Sequence, residues 1–226
     1  MYRERAATIP GAVLWTSEPV ADAAHRILPD GSMDLIWLAG RLVVAGPDTA
    51  AHVSTSAETT RIVGLRFAPG QGPAALGVPA DGLVDTRVPL AELWNPALVR
   101  RWESRLSGAS APGLLLEQLG GERLDEADPD LRLLATATGL LRAGVPVAAV
   151  GARVGLSERQ LRRRSVRAYG YGPKTLSRIL RFTRAVELVR AGTPPAVVAA
   201  RLEYADQAHL AREVRQLAGV PLGALG

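Results

Sequence analysis

Residues 147–155 read VAAVGARVG, and residues 195–203 read PAVVAARLE. One pattern is written twice, 48 residues apart: Val150 matches Val198, Ala152 matches Ala200, and Arg153 matches Arg201. Beyond the next turn the offset becomes 49, where Leu161 matches Leu210, Arg163 matches Arg212, and Gly170 matches Gly219. The second turn is therefore one residue longer. Each unit reads as a short helix, a tight turn, a capped second helix and a glycine stop, which is the layout of a helix-turn-helix. Ser157 opens the second helix of the first unit, and Gln160, three residues on, completes a capping box. Asp206 opens its counterpart in the second unit, and Thr193 is placed to cap the short helix before it, with Pro194 in the first turn. Between the units a long helix is expected over residues 173–191, stopped by Gly192. Ahead of them, Asp128 is placed to cap one more helix, with Pro129 in its first turn and Gly144 as its stop.

A helical wheel separates two faces on each second helix. With Arg159 at the origin and 100° per residue, Arg163 falls at about 40° and Arg162 at about 300°, while Leu161 and Ala168 lie at about 200° and 180°. In the second unit Leu210, Val214 and Leu217 share a face, with Ala208, Arg212 and Arg215 roughly opposite. An apolar face docked on a partner helix, with long donors on the other side, is what a recognition helix in a major groove requires. Arginine bonds guanine O6 and N7 through two parallel donors, which lysine cannot match. Arg164 and Arg167 lie at the edge of that face and suit phosphates.

Charge is distributed to match. Residues 1–129 carry 11 arginines against 16 acids, and residues 130–226 carry 16 basic residues against 6 acids. Lys174 is the only lysine among 27 basic residues, so arginine content by itself reflects composition. The split into an acidic front and a basic back points to a polyanion partner for the back half. A plain helical bundle with solvated arginines accounts for the apolar faces. It leaves the duplicated turn and the repeated Arg163/Arg212 position unexplained.

Working outward to the N-terminus, the pattern turns β-rich. Residues 12–16 and 32–38 are short apolar runs with β-branched and aromatic content, Ala39-Gly40 offers a turn, and Leu42-Val43-Val44 can return as a hairpin partner. Residues 60–68 (TRIVGLRFA) alternate near their end, and residues 69–79 are rich in Pro and Gly, which predicts turns. From Pro89 the period becomes helical, with Leu90, Leu93, Trp94, Leu98 and Trp102 at steps of three and four. Residues 114–119 are expected to begin another short helix, and the acidic stretch 122–128 reads as a linker. The reading is thus an α+β chain: a β-rich, barrel-like domain over 1–95, a helical connector over 96–127, and an all-α domain over 128–226. Within the last, the helix-turn-helix motifs occupy 146–169 and 194–218, joined by the linker helix.

The stretches VAAVGARVGLSERQLRR, AYGYGPKTLSRILRFTRAVELVRAG and PPAVVAARLEYADQAHLAREVRQLAGVP together resemble the AraC family of bacterial transcription regulators over roughly residues 130–226. Gly172-Pro173, Leu180-Arg181-Phe182 and Ala185 match that family's linker helix. The resemblance implies double-stranded DNA as partner, with base contacts from Arg159, Arg162 and Arg163 in the first motif and Gln207, Ala208, Ala211 and Arg212 in the second. Phosphate contacts would come from Ser157, Arg164, Arg167, Lys174 and Arg215. Two of the four second-motif positions are alanines, which offer only a methyl contact, so the first motif is expected to read more bases. Three positions depart from the family. Glu203-Tyr204 stands where Gly-Phe is usual, and a glutamate at positive φ costs what glycine does not. Ser165 and Val214 stand where aromatics are usual. LPDGSMDLIW (28–37), Ala45-Gly46-Pro47 and VGLRFAPG (63–70) resemble the uncharacterised β-rich domain that precedes some AraC-type domains.

Other chemistries find little support. Without cysteine there are no disulfides, Cys-ligated zinc or thiol catalysis. His25, His52 and His209 lack metal-ligand spacing. Gly70, Gly72 and Gly77 do not lead a strand into a helix at phosphate-loop spacing. Asp30 and Asp34 read as a turn followed by a strand start, Arg61 and Arg66 as surface residues, and Trp15 and Trp37 as core. No enzyme activity, cofactor or metal is expected. No run of about 18 apolar residues suggests a membrane helix. The expectation is a cytoplasmic regulator, with a small-molecule effector or a homodimer contact on the N-terminal domain and RNA polymerase as a further partner. The rivals are a sequence-indifferent architectural DNA binder and a ligand-binding module with a decayed DNA-binding domain.

Overall fold

The protein is described from a computed structural model covering residues 2–18, 25–54, 61–124 and 130–225. Its first half is built on a six-stranded antiparallel sheet of β1 (Tyr2–Ala6), β2 (Val13–Ser17), β4 (Met33–Leu38), β5 (Arg41–Ala45), β7 (Ile62–Phe67) and β8 (Arg87–Pro89). The order is β1-β2-β7-β4-β5-β8, an open sheet rather than a closed barrel. A separate ribbon pairs β3 (His25–Ile27) with β6 (His52–Ser54). The expected hairpin forms between β4 and β5, where Ala39 and Gly40 both take positive φ, 47° and 81°. Such a turn twists with the strands it joins.

Strand alternation gives the sheet two unlike faces. One carries Leu14, Met33, Leu35, Leu42, Val44, Val63, Leu65 and Phe67 into a core completed by helices. Those helices are α1 (Gly72–Leu76), α2 (Leu90–Leu93), α3 (Pro96–Ser107) and α4 (Pro112–Leu124). The segment expected as a connector thus contributes Val99, Trp102, Leu106, Leu116 and Leu119 to the core of the sheet domain.

Three sequence expectations need correction here. The turn-rich stretch 69–79 contains α1, whose Gly72 lies so close to Met33 that a Cβ would meet it at 2.7 Å. The helical pattern from Pro89 is broken at Trp94, because the Asn95 side chain accepts from the Ala97 backbone and starts α3 afresh. The linker expected from Glu122 starts later, since α4 runs through Gly120 and Gly121 to Leu124. Gly120 is needed there for close approach, since a Cβ would stand 2.7 Å from Leu65 Cδ2.

The second half is all helical: α5 (Leu131–Arg142), α6 (Val147–Arg153), α7 (Glu158–Tyr169), α8 (Pro173–Arg190), α9 (Pro195–Arg201) and α10 (Gln207–Ala218). Its core gathers Leu134, Val150, Leu161, Leu176, Phe182, Val198, Leu210 and Val214. Asp128 and Pro129 lie outside the described residues, and α5 follows Asp130. Thr193 does not cap α9. Pro194 holds that position in extended geometry, φ −58° and ψ 139°, because the ring of Pro195 forbids helical geometry in the residue before it. Among the described residues, no helix is long and apolar enough to cross a membrane.

Candidate nucleic-acid interface

The linker helix α8 is the frame of the interface. Its 18 residues span about 27 Å at 1.5 Å each, and all four helices of the two motifs pack against it. Tyr169, at the end of α7, is buried and donates to the Leu134 carbonyl at 3.0 Å, which ties the first motif to α5. On the other side Glu213 of α10, itself buried, pairs with Arg178 at 3.0 Å and Arg181 at 3.5 Å on α8. Arg181 also lies over the Tyr204 ring, 4.2 Å from its centre. These ties leave each second helix with one face committed and one free.

The free face of α7 presents Arg159, Arg162 and Arg163, all exposed, while Leu161, Ser165, Ala168 and Tyr169 point into the core. The capping box at Ser157 and Gln160 forms with both reciprocal bonds, which fixes the first turn of α7. On α10, Gln207, Ala208, Ala211 and Arg212 are exposed opposite Leu210, Val214 and Leu217. Its start is fixed by Asp206, whose carboxylate accepts from the His209 backbone at 2.6 Å. The residues assigned to bases thus fall on one exposed surface per motif.

The positions assigned to phosphates divide. Ser157, Arg167, Lys174 and Arg215 are exposed. Arg164 is half-buried and bonded to Asp130 at the start of α5, so its guanidinium serves the fold as it stands. The departures noted in the sequence each have a local outcome. Glu203 takes φ 57° where its counterpart Gly155 takes 71°. Val214 is fully buried, and Ser165 is buried with a hydroxyl that finds no partner.

A second feature lies between the halves: a cavity of about 560 Å³. Its floor is the other face of the sheet, where alternation places Glu4, Trp15, Asp34, Ala45, Arg66 and Arg87. Its opposite wall is a stripe of α8, with Phe182, Thr183, Val186, Glu187 and Arg190 at helical spacing. Arg66 is not a surface residue. It sits beside Asp34 in the sheet and bonds it at 3.1 Å. Trp15 also lines the cavity, lying across Gly64, whose missing side chain makes room for the indole. Trp37 packs on the core, as expected. Sequence reading missed this cavity because its parts come from strands and a helix far apart in the chain.

The ribbon joins the cavity to the second motif. Arg26, Ile27 and Ser54 line the cavity, and Arg26 donates to the Ala218 carbonyl at 2.7 Å at the end of α10. Nearby, the Ala51 backbone donates to the Leu217 carbonyl at 2.6 Å. The first motif is held at the same end, since Gly170 abuts Val84, Pro47 and Ala80.

Residues 150–225 match a family model described as a helix-turn-helix domain, and residues 12–89 match a domain of unknown function, DUF6597. Among curated proteins none matches. Solved structures of ToxT from Vibrio cholerae share the fold. One crystal form aligns at TM-score 0.51 and 9% identity, covering 99% of this chain and 97% of that one. Wild-type ToxT with an unsaturated fatty acid bound gives 0.51 and 9%, covering 98% and 96%. ToxT bound to (E)-4-(8-methylnaphthalen-1-yl)but-3-enoic acid gives 0.50 and 9%, covering 100% and 99%. The chain thus carries an AraC-type helix-turn-helix domain at its C-terminus behind a DUF6597 domain, in a fold it shares with ToxT.

Proposed function

We propose that this protein recognises a specific operator through both exposed helix faces and that a ligand in the cavity between the halves sets its DNA affinity. The observation that carries the first part is the exposed Arg159, Arg162 and Arg163 face on a helix whose start is fixed by a capping box. Two recognition helices on one rigid linker suit successive major grooves, about 34 Å apart. The second motif contributes less base readout, because Ala208 and Ala211 stand beside Arg212.

The second part rests on the cavity itself. One of its walls is the helix that carries both motifs, and its ribbon bonds the last carbonyls of α10. A ligand that moves ribbon or helix therefore acts on the reading heads through direct contacts. That structures of ToxT hold acid ligands is compatible with an effector here.

The test is operator selection with purified protein from genomic fragments, followed by titration against random duplex. A large ratio of specific to random affinity is expected, falling steeply with salt as released counterions dictate. Equal affinity for both would make the protein an architectural binder. Arg163→Ala is expected to cost about 1–3 kcal/mol on the operator and to relax specificity at one position. An equal loss on operator and random DNA would assign Arg163 to a phosphate.

A further inference from the structure

Resting on the reading of the cavity as an effector site, we propose that its effector is an amphipathic organic cation, an amine or quaternary ammonium head on an apolar tail, with the head on the sheet floor beside the Asp30, Asp34 and Glu4 carboxylates gathered around Arg66. The charges on the floor do not balance. Arg66 alone faces three acids: Asp34 at 3.1 Å, Asp30 at 3.4 Å and Glu4 at 3.7 Å. Arg87 is engaged by Asp48 through two parallel bonds, Nη1 to Oδ1 and Nη2 to Oδ2, each at 2.6 Å. The floor therefore holds two arginines against four carboxylates.

The neighbouring groups register this excess. Burial, with Asp30 adding to it, holds the Asp34 carboxyl above the usual carboxylate range despite Arg66. Burial likewise raises the Tyr171 phenol, and Asp30, Asp48 and Asp85 all push it the same way. An added carboxylate would meet like charge in a partly dry cavity, which is costly, whereas an added cation completes the pairing.

The remaining charges do not reverse the argument. Glu187 is paired with Arg142, outside the cavity. Arg26 and Arg190 belong to the opposite side, are exposed, and spend donors on the backbone carbonyls of Ala218 and Leu225.

The apolar lining fits the rest of such a ligand. Trp15 and Tyr2 line the cavity with ring centres 6.0 Å apart, the indole N–H donating to Asp34 and the phenol to Glu4, and an aromatic face attracts a cation as a carboxylate does. Ile36, Ile62, Phe182 and Val186 supply the walls for a tail. A volume of about 560 Å³ is in the range that takes a small organic ligand whole.

The experiment is calorimetric titration of the full chain with three probes of one tail length: decylamine, decyltrimethylammonium and decanoate, each below its aggregation concentration. The amine and the ammonium are expected to bind at least about tenfold more tightly than decanoate. Asp30→Asn with Asp34→Asn should erase that preference. Because Arg66 would then lose partners and the fold could suffer, Glu4→Gln on the edge strand serves as the second variant, with a smaller loss of amine affinity and none for decanoate. Decanoate binding as well as the amine, or no probe binding, overturns the proposal. Mobility shifts on the selected operator separate the two claims. Amine binding without a change in DNA affinity upholds the cation site and removes effector control, whereas decanoate binding with such a change does the reverse.

Discussion

Glu203 holds a backbone conformation that its counterpart in the first motif, Gly155, adopts without cost. At φ 57° its Cβ crowds the adjacent carbonyl. Glu203→Gly is expected to stabilise the protein by about 1 kcal/mol, read as a higher midpoint in urea, with operator affinity unchanged. A lower midpoint would mean that the glutamate side chain compensates for its backbone. At this scale the sequence was informative wherever the cause is local. The strain at Glu203 follows from one missing glycine in a repeated turn. The capping box at Ser157 and Gln160 follows from their spacing. Arg164 shows the opposite case: its place on the wheel suits a phosphate, and Asp130, 34 positions earlier, bonds the guanidinium.

Elements differ in how much of their specification is carried by neighbours in the chain. The second helix of each motif is opened by side chains within three residues of its start, Ser157 with Gln160 in α7 and Asp206 in α10, so those positions could be read directly. Asp206→Ala removes the bond to the His209 backbone and should cost about 1 kcal/mol, seen as a drop in thermal midpoint. If α10 is held by Glu213 and its core face alone, the midpoint will not move. The sheet is otherwise. β7 was legible as a strand, yet its partners in β2 and β4 lie 26 to 53 residues upstream, and only that pairing brings Arg66 between Val13 and Asp34. Alternation could place Arg66 opposite Leu65, but not say that its face is a cavity floor. The hairpin turn makes the same point from a local side. Ala39 sits at φ 47° where asparagine is favoured, so Ala39→Asn should raise the urea midpoint, and a fall would mean that the turn is set by the strands alone.

For the whole molecule, burial of phenols sets an alkaline limit. The buried phenols of Tyr169, Tyr171 and Tyr204 are raised above the usual 10.0 chiefly by burial, Tyr169 to about 12. A raised value in the fold means that the unfolded chain gives up its proton first. Stability is then intact below pH 10 and falls as pH climbs through the folded values. Thermal unfolding followed from pH 8 to 11 should show the midpoint dropping only above about pH 10, with tyrosinate absorbance rising at the transition. A flat midpoint would mean the phenols reach water before the fold opens.

The stop at the end of α7 has a consequence for building hybrids from this protein. Gly170 takes φ 80°, and a Cβ there would meet Val84, Pro47 and the Ala80 carbonyl at 2.5, 2.9 and 3.2 Å. The residue that ends a reading helix is thus also the seat of the other domain. The two halves are not interchangeable cassettes: grafting a different sensor in front of residue 130 requires a new surface shaped to that glycine, and a graft lacking it leaves the first motif's helix end bare.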